Sequence, residues 1–252
     1  MIQTPTPETA ERRSTIDSHA GAAFFCQQLF QHGWNLGGRP RVLIAGCGSG
    51  HEAVAIGQEL QATIEAVDVE DFVPESLKQL PGVQFQVASV CALPFPAGHF
   101  DAIFYHHVIE HVDDPPTSLV ELHRVLKPGG WLFVGTPNRQ RLISSIGAHE
   151  QSEWKPTLAN KLGDNLRDWK DRLTGQFRNE LGAHAGFSHS ELDELLSRHF
   201  QQREWLTREY IQFKYAGNRL APLLPMVTHP AVCWFAAPAI YVLCQKSLQR
   251  TE

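Results

Sequence analysis

Four ionisable side chains lie close together near the middle of the chain and could move protons. They are His106, His107, Glu110 and His111. The unperturbed pKa of imidazole lies near neutrality, so a neutral histidine here can accept a proton at physiological pH. This group predicts general-base chemistry, with His107 or His111 as the residue that removes a proton from a substrate.

A second group of residues could bind a nucleotide-like ligand. The loop Gly46-Cys47-Gly48-Ser49-Gly50 follows an apolar run, and Asp68 ends the next β-branched run. Glycines let a ligand approach the main chain closely, and free N–H groups where the loop opens a helix attract negative charge. An acid at the end of the second strand can accept two hydrogen bonds from a ribose diol. The spacing therefore favours a cofactor site over an ordinary tight turn.

Alternating apolar runs and helical patterns predict the elements that position these residues. Strands are expected at 41–45, 63–67, 83–89, 100–105, 131–135 and 240–244, with 204–210 as a further candidate. Helices are expected at 15–32, 51–60, 74–80, 116–126 and 188–199, the last with Ser188 and Glu191 as a capping box. Strands that alternate with helices in this way indicate an α/β fold with a doubly wound, mostly parallel sheet.

Composition narrows the class of protein. The chain has 252 residues, of which 42% are hydrophobic, enough for a single globular core. A net charge of −5 with mixed signs gives no overall attraction to nucleic acid. Five scattered cysteines without metal spacing favour a reducing, cytoplasmic compartment. Arg12-Arg13 is not followed by a hydrophobic core, so we do not expect a secretion signal.

Two cofactors fit the glycine loop by spacing alone. Gly48-x-Gly50-x-x-Ala53 satisfies one form of the dinucleotide motif, which would indicate an NAD-binding oxidoreductase. Together with the preceding strand, however, Gly46-x-Gly48-x-Gly50 resembles the first motif of the class I S-adenosylmethionine (SAM) methyltransferases.

Further motifs between residues 41 and 138 resemble the same family, in its methyltransferase type 11 group, and outweigh the dinucleotide match. They are Leu93-Pro94-Phe95 with Phe100-Asp101, Val108-Ile109-Glu110-His111-Val112 with Asp114-Pro115, Arg124-Val125-Leu126-Lys127-Pro128-Gly129-Gly130, and Thr136-Pro137-Asn138. The resemblance implies a Rossmann-like, seven-stranded sheet with an antiparallel last strand, SAM as the cofactor, and methyl transfer by in-line displacement. We expect a small or lipid-like metabolite as the acceptor, methylated at a hydroxyl oxygen.

The resemblance also implies roles for individual residues. The expected cofactor-binding residues are Gly46, Cys47, Gly48, Gly50, Asp68, Val69, Ser89, Val90 and His106. Two positions depart from the family pattern, because Ile44 and Ser89 stand where acids are common. Glu52, at the start of the helix after the loop, is a candidate partner for the SAM ammonium group. The two departures keep a non-catalytic SAM-binding module open as a further alternative.

A metal site is the remaining alternative for the histidine group. His107-x-x-Glu110-His111 spells the inverted zinc-protease motif, but that motif needs a long helix and a further ligand, so we expect no protease. Some methyltransferases that act on vicinal hydroxyls resemble this segment and hold a divalent ion there, and His184 or His189 could complete such a set. We predict no metal, because Glu110-His111 is also common in family members without one.

Four regions are expected along the chain: an N-terminal arm and covering helix (1–35), a SAM-binding core (36–139), a helical lid or substrate insertion (140–186), and the rest of the core sheet (187–252). Residues 220–245 carry no formal charge, but four prolines and His229 argue against a transmembrane segment. We predict a buried apolar loop there. The alternative is a lipid-binding tunnel or a peripheral membrane contact over 220–238. The oligomeric state stays open.

Overall fold

The computed structural model describes residues 16, 19–34, 38–141, 157, 163, 166, 167, 169–171, 173, 174, 186–217 and 221–248. The predicted N-terminal arm and most of the predicted lid, including His184, lie outside the described residues. The strands and the residues at their carboxyl ends lie within them.

Seven described strands form one sheet: β1 Arg41–Ala45, β2 Thr63–Asp68, β3 Val83–Val87, β4 Phe100–His106, β5 Leu126–Pro137, β6 Gln202–Trp205 and β7 Ala239–Gln245. Their order is β3-β2-β1-β4-β5-β7-β6. Strands β1 to β5 run parallel, and β7 runs antiparallel to both of its neighbours. The predicted doubly wound, mostly parallel sheet with an antiparallel last strand is confirmed.

Helices cover both faces of the sheet. They are α1 Ala20–Gln31, α2 His51–Leu60, α3 Glu75–Lys78, α4 Pro115–Val125, α5 His189–Ser197, α6 Thr207–Tyr215, α7 Leu224–Val227 and α8 Pro230–Ala236, with single 3-10 turns at Ile109–His111 and Ala221–Leu223. Helices α1, α2 and α6 enclose one core with Phe24, Ile56 and Tyr210. Helices α4 and α5 enclose a second core with Leu122 and Leu196 on the other face.

Local sequence signals determine where two of these helices begin. The capping box predicted at Ser188 and Glu191 is present at the start of α5. At the start of α4, the Asp114 side chain accepts a hydrogen bond from Thr117 N. Each bond satisfies an N–H group that the first helical turn leaves without a partner.

One predicted strand on the C-terminal side differs from the structure. The strand predicted over 204–210 is wrong beyond Trp205, because α6 begins at Thr207. Leu206 and Tyr210 are four residues apart and are both buried, as one face of a helix requires. The mixed polar and apolar residues of this segment do not determine one period, and packing against β7 decides for the helix.

The apolar segment before β7 is helical and largely exposed, so the prediction of a buried loop is wrong. Pro225 and Pro230 stand in the first turns of α7 and α8, where a missing N–H group is tolerated. Cys233 and Ala237 are buried, but Met226 is 61% exposed. The exposed apolar side chains form a group that we name the apolar patch: Leu223, Met226, Val232, Trp234 and Phe235. No described helix is both long and apolar enough to cross a membrane.

The order of the strands creates a place where a ligand can bind. Strand β1 lies between β2 and β4, so the connections that leave β1 and β4 run in opposite directions across the sheet. A crevice opens outside the carboxyl ends of parallel strands at such a switch point. Asp68, His106 and the loop after Ala45 all lie at this carboxyl edge.

Hydrogen bonds to the end of β2 hold the loop that follows β1. Gly48 N donates to Asp68 Oδ2 at 2.7 Å, and the other carboxylate oxygen accepts from Val69 N at 2.8 Å. Gly46 N and Cys47 N both donate to the main-chain oxygen of the last residue before Asp68. Hydrogen bonds to a charged acceptor are stronger than neutral ones, so Asp68 clamps the loop to its neighbouring strand.

Asp68→Asn should therefore destabilise the protein even when no ligand is added. The Asn side chain has one uncharged oxygen in place of the carboxylate, and its NH₂ group cannot accept a hydrogen bond from the second main-chain N–H group. We therefore expect the free energy of unfolding to fall by about 1–3 kcal/mol. Urea unfolding measures this change. Asp71→Asn removes a carboxylate that pairs with Lys78 at the surface and is the matched control. Unchanged stability of Asp68→Asn would contradict the clamp.

Candidate active site

The three glycines of the loop have different roles. Gly46 and Gly50 both have a φ of +80°, and a Cβ would overlap Val108 at the first position and Phe85 at the second. Gly48 has a φ of +47°, but a Cβ there would meet nothing within 4 Å. The first and third glycines therefore allow close packing, whereas Gly48 faces an open cradle.

The expectation that this loop offers free N–H groups to a ligand is wrong for most of its residues. The N–H groups of Gly46, Cys47 and Gly48 are bonded to β2, and Gly50 N donates to Cys47 O at 2.8 Å. To cradle a pyrophosphate, they would have to give up these bonds, and the Asp68 carboxylate would repel the phosphate charge. The loop is therefore suited to a cofactor without phosphate groups.

Most of the other predicted cofactor residues lie at the edge beside Asp68. Val69 is 64% exposed, and Val87, which pairs with Asp68 across the sheet, is exposed as well. Ser89 is exposed, and its Oγ accepts a main-chain hydrogen bond at 3.2 Å. Val90 is buried in the core, so only its main chain could reach a ligand. The roles of these residues in cofactor binding stay predictions.

Cys47 lies inside the loop but is not a nucleophile. Burial and the nearby Asp68 carboxylate raise the pKa of its thiol to about 12. The thiol is therefore protonated at physiological pH, and only the thiolate is reactive. Cys47 serves the site as a small, largely apolar side chain.

His106 ends β4 in a space that two glycines leave free. A Cβ at Gly21 of α1 or at Gly135 of β5 would overlap its ring. The ring stacks on Tyr241 with centroids 5.9 Å apart, and Nε2 is buried without a hydrogen-bond partner among the described residues. A buried nitrogen without a partner carries a desolvation cost that a ligand group could remove.

His107 is held through both its main chain and its side chain. Its φ is +56°, which is uncommon for a residue with a Cβ, and its N donates to Gly135 O at 2.8 Å. The Nδ1 of His107 lies 3.3 Å from Glu110 Oε1, and Glu110 Oε2 accepts a hydrogen bond from Thr136 Oγ1 at 3.0 Å. The carboxylate selects the tautomer with hydrogen on Nδ1, which leaves the Nε2 lone pair for a substrate proton.

The electrostatics of this pair favour a neutral histidine beside an ionised acid. Burial and the neighbouring His106 lower the pKa of His107. Its side chain is nevertheless 42% exposed. Surrounding protein atoms and solvent access occur together when a side chain lines a cleft. Burial alone would raise the pKa of Glu110, whose side chain is 4% exposed, but hydrogen bonds from His107 and Thr136 lower it below its ordinary value. At neutral pH, His107 can therefore accept a proton, and Glu110 can stabilise the resulting charge.

The other histidines of the sequence hypotheses are placed differently. His111 is exposed on the 3-10 turn, and no hydrogen bond within the described residues ties its ring to Glu110. His189 packs between Trp205 and Trp234, with ring centroids 5.3 and 4.1 Å away. Across the described part of the chain, no three His, Cys, Asp or Glu side chains come together as metal ligands. His107 thus has a geometric argument for the role of base that His111 lacks.

Three contributors to this site are not evident from the sequence. Gly21 and Gly135 make room for His106, and Thr136 holds Glu110. Thr136 belongs to a recognised motif, but its bond crosses from β5 to a residue 26 positions earlier. No local pattern shows a contact of that kind.

Glu52 brings a further carboxylate to the carboxyl edge. It is the second residue of α2, its side chain is 33% exposed, and its Oε1 lies 3.8 Å from His106 Nδ1. Burial would raise its pKa, but His106, His19 and His107 together lower it below the ordinary value. The carboxylate is therefore ionised at neutral pH.

The residues at this edge fit SAM better than a dinucleotide. SAM carries a sulfonium, an ammonium and a carboxylate group, with one net positive charge, and contains a ribose diol but no phosphate. The open cradle at Gly48 lies beside the Asp68 carboxylate, and Glu52, next to His106, adds a second carboxylate at the carboxyl edge; both attract positive charge. Asp68 is also placed at the end of β2, where a ribose can be bound.

Comparisons with known proteins agree with this geometry. A family profile described as a methyltransferase domain matches residues 43–134. A ubiquinone biosynthesis O-methyltransferase from Paracidovorax citrulli is 37% identical over 122 residues, which cover 43% of this chain and 49% of the relative. A probable S-adenosylmethionine-dependent methyltransferase from Mycolicibacterium smegmatis is 36% identical over 98 residues, which cover 39% of this chain and 38% of the relative. The chain spans about half or less of the length of these curated relatives.

The same fold occurs in solved structures with low sequence identity. A geranyl diphosphate methyltransferase in complex with SAM has a TM-score of 0.53 at 19% identity, covering 90% of this chain and 84% of that chain. The MccD protein has a TM-score of 0.54 at 16% identity, covering 90% of this chain and 98% of that chain. These likenesses concern the fold alone. The profile match, the strand order and the glycine loop together identify residues 43–134 as a class I SAM-dependent methyltransferase domain, with SAM as its cofactor.

Proposed function

We propose that this chain methylates a hydroxyl oxygen of a small or lipid-like metabolite. The observation that carries the proposal is the chain of hydrogen bonds from His107 through Glu110 to Thr136, at the carboxyl edge that holds the glycine loop. A hydroxyl oxygen must lose its proton as the new bond to carbon forms, and a neutral imidazole oriented by a carboxylate can take that proton. A neutral amine can attack through its lone pair without such a base, so the arrangement favours oxygen.

The residues that would hold the cofactor surround the cradle at Gly48. Bound SAM supplies an activated methyl group for in-line displacement by the acceptor oxygen. We propose that the Asp68 carboxylate binds the ribose of SAM. The proposed lining of the remaining surface comprises Gly46, Cys47, Gly50, Val69, Ser89, Val90 and His106.

His107 is the general base in this proposal. Its Nε2 takes the hydroxyl proton of the acceptor, while Nδ1–H donates to Glu110 and the carboxylate stabilises the imidazolium that forms. The fixed main chain of His107 also aligns the acceptor, and such alignment contributes a large part of an enzyme's rate.

A non-catalytic SAM-binding module is the second candidate. Ile44 is fully buried in the core and supplies no charge at a position where the family often has an acid. A chain that had lost cofactor affinity in this way would keep the fold and lose turnover.

A thermal-shift series distinguishes these functions. SAM or S-adenosylhomocysteine (SAH), at about 100 times its Kd, should stabilise the protein by about 2.7 kcal/mol, because both bind only the folded state. NAD should leave Tm unchanged. SAH formation with a panel of hydroxylated amphipathic acceptors then separates the enzyme from the binding module. Stabilisation by NAD but not by SAM would overturn the proposal.

Substitution of the two candidate bases tests the mechanism. His107→Ala should lower kcat by about 10²–10⁴-fold while the Kd of SAM changes little, because the base acts in the transition state. His111→Ala should have the smaller effect on kcat, since no hydrogen bond from the described residues orients its ring. A larger loss of kcat in His111→Ala than in His107→Ala would assign the base to His111. Unchanged turnover in both variants would refute both assignments.

Glu110→Gln tests the orientation of His107 through the pH profile. The wild-type rate should rise through the lowered pKa of His107 and reach a plateau by neutral pH. The Glu110 carboxylate raises that pKa, so its removal should move the acid limb to lower pH. The plateau should fall by about tenfold or more, because the base is weaker and less well oriented. An acid limb that stays in place would contradict a coupling between the two residues.

The apolar patch supports a lipid-like acceptor. Asn138, at the end of β5, donates from Nδ2 to Trp234 O at 2.8 Å and to Ala237 O at 3.0 Å, so α8 is fixed at the same edge as the His107–Glu110 pair. The Paracidovorax citrulli relative is named for ubiquinone biosynthesis. We propose that the patch contacts a membrane surface from which the acceptor is drawn, on the cytoplasmic side, where five unpaired cysteines are stable.

Vesicle flotation tests this contact. The wild-type chain should float with uncharged phosphatidylcholine vesicles, and the double variant Met226→Ser/Phe235→Ser should lose about fivefold or more in bound fraction, because two exposed apolar side chains no longer enter the lipid. Leu248→Ser removes an exposed apolar side chain beside Gly129, away from the patch, and should float like the wild type. Equal flotation of both variants would contradict the proposal.

A further inference from the structure

Glu52 is a charged residue whose position the loop motif does not explain. It stands two residues after Gly50, and its side chain reaches the end of β4. The nearest basic group is the imidazole of His106, with 3.8 Å between Glu52 Oε1 and His106 Nδ1. In the part of the chain that the structure describes, no Lys or Arg lies within 4.0 Å of this carboxylate.

Among the described residues, Glu52 has no permanently charged counter-ion within salt-bridge distance. His106, His19 and His107 are close enough to lower the pKa of this carboxyl, but an imidazole, unlike a Lys or Arg side chain, does not carry a permanent charge. The ring of His106 lies against both Gly21 and Gly135, in space that a side chain at either position would fill. Among the described residues, only imidazoles approach this partly buried carboxylate, so its charge attracts a further positive group and the place beside it favours a positively charged ligand.

The cofactor and its product differ by one charge at the reacting atom. SAM carries a sulfonium, and SAH carries a neutral thioether after the methyl group has left. The reacting sulfur has to lie near the base, because the acceptor oxygen gives its proton to the base while it attacks the methyl carbon in line with the sulfur. Glu52 lies close enough to His107 for each to influence the ionisation of the other.

We propose that Glu52 lets the site distinguish SAM from SAH by attracting the sulfonium charge. This inference rests on the proposed function, because it places the reacting sulfur between the glycine loop and His107. The attraction is present before methyl transfer and absent afterwards, so Glu52 favours binding of the reactant and release of the product. Glu52 is thus a specificity-determining residue and takes no proton in the reaction.

A simpler role for Glu52 is to stabilise the start of α2. An acid in the first turn interacts favourably with the helix dipole. Such a role affects the stability of the folded chain and treats all cofactor analogues alike. The two roles are therefore separable by binding measurements that compare ligands with and without the charge.

Calorimetric titration at pH 8 with SAM, SAH and sinefungin tests the inference. Sinefungin carries an ammonium group where SAM has its methylsulfonium, so it keeps the charge and cannot react. Glu52→Gln should raise the Kd of SAM and of sinefungin by about five- to tenfold, as expected for one partly exposed charge pair. The Kd of SAH should change by less than about twofold. Glu59→Gln, on the last turn of the same helix, should change none of the three.

The ratio of the SAM and SAH dissociation constants makes the test independent of folding. Both values come from one preparation, and unfolding of part of the sample would leave their ratio unchanged. Equal weakening of all three ligands, or no weakening of SAM, would overturn the inference while leaving the proposed function intact. A wild-type chain that binds neither SAM nor SAH would overturn both.

Discussion

The bonds between the glycine loop and β2 determine which ligand the carboxyl edge can hold. Three consecutive N–H groups, from Gly46 to Gly48, donate to the end of β2, and the last of them donates to the Asp68 carboxylate. A loop bonded in this way has few N–H groups left for a phosphate, and the Asp68 carboxylate beside it attracts a cation and repels phosphate. The glycine spacing in the sequence is compatible with both SAM and NAD, so the motif by itself did not exclude NAD as the cofactor. The N–H groups of the loop are bonded to β2 and are not directed at a ligand, which favours SAM over NAD. Their direction depends on the neighbouring strand, which the motif does not show.

The turn after β4 concentrates backbone strain at the proposed base. A residue with a Cβ at a φ of +56° costs on the order of 1–3 kcal/mol, and it persists only where its surroundings hold it. Here, the N–H group of His107 is bonded to Gly135 O, and its ring lies against His106 with centroids 4.3 Å apart. The turn brings Glu110, three residues later, onto Nδ1 of the same ring. The strain is therefore offset by the contacts that orient the imidazole.

Sequence patterns predicted the sheet well, because buried parallel strands produce continuous apolar runs. They also predicted the start of α5, because its capping box involves residues that are close in the sequence. They failed over residues 221–236, since an uncharged stretch shows how much apolar surface exists but not whether that surface faces the core or the solvent. They found His106 and His107 through residue type. They could not find Gly21 or Thr136 as partners, because those contacts join segments that only the folded sheet brings together.

The carboxyl end of β5 links the parts of the site that the proposed function requires. Gly135 makes room for His106 and accepts the hydrogen bond of His107 N, Thr136 holds Glu110, and Asn138 fixes α8 through two main-chain oxygens. These residues lie within four positions of one buried strand that pairs with β4 on one side and β7 on the other. A shift of this strand end would move the base and the apolar patch together. A lipid-like acceptor with its tail at the patch would therefore meet the base at a fixed distance, which couples recognition of the tail to alignment of the hydroxyl group.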